Sequence, residues 1–268
     1  APKNFVASLD TQFRMHEQIM NCISDFYSDQ IELENGLICG IKNEMNDNDF
    51  NVKASRYHGF NAVPFIEPKN HAIWVNVETP EGKLGTSYEN TGEIDAIKIV
   101  LNALTNAEGY NKYSNFFTKD EDKEIGIITY YMPQMNNIRK SMYPTFSKNE
   151  WKNFEQHKFE NKYNIPLRIN TVDRFQGMER NIVIISTVRS NKQFIEEKGK
   201  KIIIDNNKYP FALGFARELQ RINVGFSRAK RLLIVIGNEK HFSHKPEYEQ
   251  AIQKMHRIDI AQIQNLIK

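Results

Sequence analysis

The stretch INTVDRFQGMERNIVIISTVRSN, from Ile169 to Asn191, contains two strand signals joined by a short polar turn. The second signal, RNIVIIST, is apolar along almost its whole length, which is typical of a strand buried on both faces of a parallel sheet. The turn contains Gly177, and a glycine lets the backbone approach a ligand closely. The stretch therefore predicts a parallel α/β sheet with a functional turn between two of its strands.

Further apolar runs and helical patterns alternate along the chain. Strand signals lie at HAIWVNVE (71–78), EIGIITYY (124–131), LRINTV (167–172) and RLLIVIGN (231–238). Helix signals lie at residues 15–28, 91–104 and 132–142 and through FARELQRINVGFSRA (215–229), with Thr91 predicted to cap the second of them. This alternation predicts an α/β fold with a doubly wound, mainly parallel sheet. Ligands of such sheets lie beyond the carboxyl ends of the strands, so we expect the functional residues there.

The remaining segments predict smaller elements. TPEGKLGTS (79–87) indicates a turn, and residues 147–163 an amphipathic helix that contains Trp151. The polar excursion at 191–210 predicts a hairpin arm, and 246–268 a closing amphipathic helix. We expect residues 1–268 to form a single domain whose motifs occupy 9–238.

Composition narrows the function classes. The chain has 268 residues, 40% of them hydrophobic and 26% charged, with a formal net charge of +3. These values are typical of a globular domain, and a basic surface would have to be local. Two cysteines indicate neither a disulfide framework nor a zinc site, and no apolar run is long enough to span a membrane. We expect a cytoplasmic protein in a reducing compartment, without a metal site of its own.

Two segments carry candidate contacts to phosphate and nucleic acid. In LDTQFRMH, Gln12 and Arg14 flank an aromatic residue, and an arginine there can present a charged fork to a phosphate. The alternative is an ordinary surface arginine. In IGIITYYMPQ, Thr129 and Tyr131 follow a buried strand, where a hydroxyl could hold a phosphodiester backbone and Tyr131 could stack on a base.

Two later segments add complementary chemistry. In the opening stretch, Glu179 can accept hydrogen bonds from a ribose, while Thr171 and Arg174 can touch a nucleic-acid backbone. In RINVGFSRAKRLLIVIGN, Arg221 and Arg228 are seven residues apart, which places them on one face of a helix. Such a pair can neutralise charge on a transferring phosphoryl group, although a basic face in solvent is the alternative.

Together and in this order, the motifs resemble those of the second RecA-like domain of superfamily 1 helicases. QFRMH, IGIITYYMPQ, TVDRFQGMER and RINVGFSRAK are similar to QYRMHP, IGVITPYxxQ, TVDxFQGxE and RRLNVALTRA of the group that contains senataxin and the nonsense-mediated-decay RNA helicase. The resemblance covers residues 9–238. The chain departs from the pattern at Tyr130, Arg174 and Gln220.

The resemblance implies a RecA-like P-loop NTPase fold and a role for each matched position. Arg14 and Arg228 would be the catalytic arginines that reach the γ-phosphate across a cleft between domains. The positions implied to face the nucleotide are Gln12, Gly177, Glu179 and Arg221. The positions implied to lie along single-stranded DNA or RNA are Thr129, Thr171 and Arg189. Tyr131 and Arg174 are added to this group because of their own chemistry.

The loop that would hold ATP is absent from the sequence. No G-x-x-x-x-G-K-[ST] occurs, and EGKLGTS and EKGKKI both lack its first glycine and its hydroxyl residue. The family resemblance implies that ATP and Mg²⁺ are bound mainly by a first, amino-terminal RecA-like domain, so we expect this chain to be a piece cut from a longer helicase. By itself it should neither hydrolyse ATP nor unwind a duplex. The alternative is a non-catalytic nucleic-acid-binding module with a helicase-like fold.

Overall fold

The fold is built on twelve strands and nine helices in the part of the chain that can be described. A computed structural model describes residues 10–25, 37–41, 56–144, 161, 163, 165–190, 192–197, 200–205 and 212–267. The strands are β1 (Thr11–Gln12), β2 (Ile38–Cys39), β3 (Ala72–Asn76), β4 (Glu81–Leu84), β5 (Ser87–Glu89), β6 (Ile125–Thr129), β7 (Leu167–Thr171), β8 (Arg180–Ser186), β9 (Lys192–Glu197), β10 (Lys200–Asp205), β11 (Ala229–Gly237) and β12 (His256–Asp259). The helices are α1 (Glu17–Ser24), α2 (Thr91–Thr105), α3 (Tyr110–Phe116), α4 (Asp120–Lys123), α5 (Met132–Met142), α6 (Leu219–Phe226), α7 (Glu239–Phe242), α8 (Pro246–Gln253) and α9 (Ile260–Leu266).

Six of the strands form a central sheet in the order β12-β3-β11-β8-β6-β7. Every neighbouring pair in it is parallel. Residues of β6, β8 and β11 are buried with few exceptions, as their apolar sequences predict. The predicted mainly parallel α/β sheet is therefore confirmed.

Helices cover both faces of this sheet. One apolar core contains residues of α2, α3, α5 and α9, including Ile97 and Ile138, packed against Ile127 of β6. A second core, on the opposite face, contains residues of α1, α6 and α8 around Trp74 of β3. The sheet is thus wound on both sides, in agreement with the sequence.

The connection between β7 and β8 crosses the sheet without a helix of its own. It comprises residues 172–179 and includes a 3₁₀ turn at Asp173–Phe175. The buried Phe175 ring lies over β6 at Gly126, where a Cβ atom would come within 2.8 Å of the ring. Gly126 therefore provides the space through which the connection passes.

The tail and the 79–87 segment differ from their predictions. Instead of one closing helix, the tail forms α8, β12 and α9. β12 pairs with the otherwise open edge of β3, and this pairing outweighs the helical pattern of the sequence. Residues 81–89 form a hairpin rather than a simple turn, because Gly85 adopts a left-handed φ of 60° between β4 and β5.

Other predictions hold with changed boundaries. The hairpin arm is confirmed as antiparallel β9 and β10, with β9 also paired to β4. The cap of α2 is Asn90 rather than Thr91, because the Asn90 side chain accepts the Glu93 N–H at 3.1 Å. The predicted helix at 147–163 lies almost entirely outside the described residues. Among the described helices, none combines the length and the apolar character that crossing a bilayer requires.

Candidate functional site

The predicted site residues are divided between the two edges of the central sheet. Thr129 and Thr171 end β6 and β7 at the carboxyl edge, as expected. Glu179 and Arg228 directly precede β8 and β11, so they lie at the amino edge with Arg14, which contacts Glu179. The expectation that all functional residues follow the strands is therefore wrong for these three residues, because the 172–179 connection and α6 return the chain to the amino edge.

Two arginines converge on one turn at the amino edge. Arg14 forms an ion pair with the Glu179 carboxylate, and Arg228 Nη1 lies 3.4 Å from the carbonyl oxygen of the preceding residue, Met178. Arg228 also donates to the Val224 carbonyl at 2.9 Å and is only 9% exposed. Residues that the sequence places in three separate motifs thus meet at a single turn.

Gly177 gives this turn its shape. Its φ is 83°, in the left-handed region that residues with a side chain rarely adopt. No heavy atom lies within 4 Å of the position that a Cβ would occupy. The requirement for glycine here is therefore conformational, and the open space beside it leaves the backbone accessible.

The loop that carries Arg14 is shaped by two side chains. Gln12 Oε1 accepts the N–H groups of Arg14 and Met15 at 2.8 and 2.9 Å, so Gln12 organises the loop from within. Arg56 Nε donates to the Arg14 carbonyl at 2.8 Å, and burial lowers the Arg56 pKa. The sequence gives no signal for Arg56, because it lies in a polar segment without a recognisable pattern.

A stack of histidines joins the Arg14 loop to the sheet. The His16 and His71 rings are parallel, with their centroids 3.5 Å apart, and His58 lies 4.5 Å from His71. The backbone N–H of His16 donates to the Lys230 carbonyl at 2.9 Å, and His71 Nδ1 lies 2.7 Å from the Arg231 carbonyl. Burial lowers the pKa of His71 to about 4 and that of His16 to about 2, so the stack is neutral at physiological pH.

The carboxyl edge presents fewer of its predicted residues than expected. Thr129 and Tyr131 are buried, and Thr171 is only 8% exposed. The Thr129 hydroxyl has no hydrogen-bond partner among the described residues. Arg174, by contrast, is exposed beside the end of β7. Direct contact with nucleic acid stays a prediction for all of them, and Arg174 is the member of this group with its side chain at the surface.

Two buried glutamates hold the segment that follows β8. Glu93 accepts the Val188 N–H at 2.9 Å and the Ser186 hydroxyl at 2.6 Å, and burial raises its pKa to about 8. Glu81 accepts from Arg189 Nε at 2.8 Å, and both side chains are almost fully buried. Arg189 therefore faces a carboxylate inside the fold. Sequence reasoning missed both glutamates, since it placed one at a helix start and the other in a turn.

Arg221 lies apart from Arg14 and Arg228. Its Nε is 3.3 Å from Asp173 Oδ1 and 3.4 Å from Glu218 Oε2, and its guanidinium stands over the ring of Phe215, 4.7 Å from the centroid. These partners follow β7 and precede α6, towards the carboxyl edge. The structure therefore places Arg221 near the residues predicted to contact nucleic acid, and its role beside the nucleotide stays a prediction.

The sequence of this chain matches a known protein family. A family model described as an AAA domain matches residues 2–240. The chain belongs to this family. The match covers every motif discussed above and ends within the first turn of α7.

Related proteins confirm the resemblance to superfamily 1 helicases. The chain is 34% identical over 152 residues to helicase mov-10-B.1 of Danio rerio, which covers 57% of this chain and 13% of that protein. It is 28% identical over 258 residues to an ATP-dependent helicase of Methanocaldococcus jannaschii, covering 93% of the chain and 29% of the relative. It is 28% identical over 240 residues to a regulator of nonsense transcripts 1 homolog of Neurospora crassa, covering 87% and 16%. The chain thus spans less than a third of the length of each of these relatives.

The amino-edge residues have the chemistry to contact the phosphates and the ribose of a nucleotide. Two guanidinium groups and an open glycine turn fit a phosphate chain, and the Glu179 carboxylate fits a ribose hydroxyl. No group of three His, Cys, Asp or Glu side chains able to hold a metal ion occurs within the described ranges. These residues fit the phosphates of ATP, whereas a Mg²⁺ ion would need ligands from elsewhere.

Proposed function

We propose that this chain is the second motor domain of an ATP-dependent superfamily 1 helicase, and that it supplies arginine fingers to ATP bound by a first RecA-like domain. The observation that carries the proposal is the meeting of Arg14, Arg228 and Glu179 at the Gly177 turn. An ATP-dependent helicase and a regulator of nonsense transcripts 1 homolog among the relatives support it.

The two arginines suit different parts of this task. Arg14 is 39% exposed and paired only at the surface with Glu179, so it can exchange that carboxylate for a phosphate at little cost. Arg228 is held by the backbone and points along a fixed direction. Bound ATP, with Mg²⁺, supplies the phosphoryl group that is transferred to water. Arg14 and Arg228 would place positive charge beside it and orient it, and Glu179, released from Arg14, could accept a ribose hydroxyl.

The carboxyl edge would hold single-stranded DNA or RNA. Arg174 offers a phosphate contact at the surface, and Thr171 ends β7 close beside it in the chain. Thr129, Tyr131 and Arg189 would shape this edge from beneath the surface, since all three are buried. Nucleotide and nucleic acid would thus occupy opposite ends of the same strands.

Replacing Arg14 by alanine in the full-length protein tests the proposal. The ion pair with Glu179 is partly exposed, so its loss should cost about 0.2–1 kcal/mol of stability. Turnover should nevertheless fall by roughly 10³–10⁵, the range that arginine fingers contribute in related phosphoryl-transfer enzymes. The measurement is kcat for ATP hydrolysis in the presence of single-stranded nucleic acid.

Arg257→Ala is the matched control. Arg257 is 57% exposed and forms a comparable surface pair with Glu239, away from the Gly177 turn. Its loss should leave kcat unchanged. If Arg14→Ala and Arg257→Ala turn over at the same rate as the unmodified protein, the arginine-finger proposal is wrong.

A further inference from the structure

Three aromatic rings form a row at the carboxyl edge. The centroids of Tyr88 and Tyr131 are 5.7 Å apart, and those of Tyr131 and Phe215 are 5.5 Å apart. We name these three residues the aromatic row. Tyr131 is buried and Tyr88 half-buried, whereas Phe215 is 50% exposed. The row thus ends in one phenyl ring at the surface.

The pose of Phe215 is fixed by its backbone. Its N–H donates to the Tyr131 hydroxyl oxygen at 3.3 Å, and that hydroxyl in turn donates to the Leu213 carbonyl at 3.3 Å. Gly214, between them, has a φ of 55°, and a Cβ on it would come within 2.2 Å of the Tyr131 hydroxyl oxygen. Only glycine permits so close a turn, and the turn holds the phenyl ring outward.

The surroundings of this ring are charged rather than apolar. Arg221 stands 4.7 Å from the Phe215 centroid, and Arg217 and Glu218 beside it in the chain are exposed. Arg189 stacks on the other end of the row, 4.0 Å from the Tyr88 centroid. A single rigid ring among cations offers too little apolar area for a protein interface. It matches a ligand that combines flat rings with negative charge.

We infer that Phe215 is a stacking residue for a base of single-stranded nucleic acid, with Arg221 placed to meet the adjoining phosphate. The inference rests on the proposed binding of nucleic acid at the carboxyl edge. Stacking on an aromatic ring accepts every base, because every base has a π-face. Phe215 would therefore add grip without sequence preference, and the buried Tyr131 would act as a positioning residue that sets its angle.

The test compares two strands of equal length in the full-length protein. One is an oligothymidylate and the other is an abasic sugar-phosphate strand, and affinity is measured by fluorescence anisotropy. Phe215→Ala should weaken binding of the oligothymidylate by roughly 5- to 150-fold. It should leave the affinity for the abasic strand and the salt dependence of binding unchanged, since no phosphate contact is removed. Phe215→Trp should retain full affinity.

Phe13→Ala is the control, because Phe13 is a phenyl ring that is 66% exposed in the Arg14 loop at the amino edge. It should leave both affinities unchanged. Equal losses of Phe215→Ala on both strands, or no loss on either, would overturn the stacking role while leaving nucleic-acid binding intact. Failure of the unmodified protein to bind these strands and an RNA strand of equal length would instead overturn the proposed function itself.

Discussion

Arg14 and Arg228 are held by different kinds of contact. Arg14 has a half-exposed carboxylate partner, while Arg228 is buried against carbonyl oxygens of α6 and of the Gly177 turn. Removing Arg228 would take away hydrogen bonds to both carbonyls, so its substitution mixes a stability cost with any effect on turnover. At the scale of single residues, Gly177 is a sharper probe of the turn, because nothing packs on it.

Gly177→Ala should lower the free energy of unfolding by about 1–2 kcal/mol, the usual cost of a left-handed backbone for a residue with a side chain. Gly177→Asn should recover part of this, since asparagine tolerates that conformation. Urea unfolding measures both values. Turnover in the full-length protein should fall in the alanine variant, because the turn carries Glu179.

Gly85→Ala provides the comparison for this prediction. Gly85 also has a positive φ, 60°, and open space around it, but it lies in the β4–β5 hairpin. It should lose similar stability and keep its turnover. A Gly177→Ala protein that matches the unmodified one in stability and rate would show that the turn does not need its left-handed residue.

At the scale of elements, the histidine stack fastens the β1–α1 loop to β11. His71 faces His16, His58 and Arg231; burial lowers its pKa most, and the charge of Arg231 lowers it further. Its pKa of about 4 lies below the value near 6.5 in an unfolded chain. Below pH 6.5 the unfolded state therefore binds more protons, and the contribution of His71 to stability decreases as the pH falls towards 4.

We expect the difference in the free energy of unfolding between the unmodified chain and His71→Gln to depend on pH. We call this difference the gap. The gap should become about 2 kcal/mol less favourable to the unmodified chain between pH 7.5 and pH 5, as measured by urea unfolding. The gap is the useful quantity, because Glu93, with its raised pKa of about 8, makes stability fall as the pH rises and masks the absolute trend. A gap that is constant with pH would refute the neutral stack.

Sequence reasoning was most successful for the buried strands. β6, β8 and β11 are apolar on both faces, so their patterns admit few other structures. β12 was missed because its strand character comes from pairing with β3, and in it only Ile258 is buried. Helices and strands that depend on a distant partner carry little signal of their own.

The sequence indicates candidate site residues but not how deeply each is buried, and their roles stay predictions. The motif spacing indicated Arg14, Gly177 and Glu179, and the structure brings these together with Arg228. The sequence could not indicate that Arg189 is buried, because Arg189 pairs with Glu81 of β4 and stacks on Tyr88 of β5, which are distant in the sequence. For the same reason Phe215 attracted no attention as a single ring next to a glycine.

At the scale of the whole molecule, two groups of candidate functional residues lie at opposite edges of the sheet, one strand length apart. Phosphate-directed arginines lie at the amino edge, and the aromatic row and Arg174 lie at the carboxyl edge. The chain supplies neither a phosphate-cradling loop in its sequence nor a cluster of metal ligands in its described part. Under the proposed function, it would contribute one wall of a nucleotide site.

The 268-residue chain on its own should accordingly show no Mg²⁺-dependent ATP hydrolysis. Arginine fingers raise the rate for a nucleotide that another group already holds, and they do not replace the P-loop that holds it. A phosphate-release assay with and without single-stranded nucleic acid measures this. Activity that co-purifies with the chain through successive columns, and that disappears in Arg228→Ala, would contradict the prediction.

The connection over Gly126 has little slack. From the end of β7 to the start of β8 it must cover about 20 Å along the strands and about 10 Å across them, and its eight residues include a 3₁₀ turn. Fully extended, eight residues reach at most about 29 Å, and the turn shortens this. A displacement of Glu179 at one end therefore leaves few residues to absorb it before Arg174 at the other end, and the buried Phe175 is one of them. The number of residues in this connection, as much as their identity, would then determine how strongly movements of Glu179 and of Arg174 are coupled.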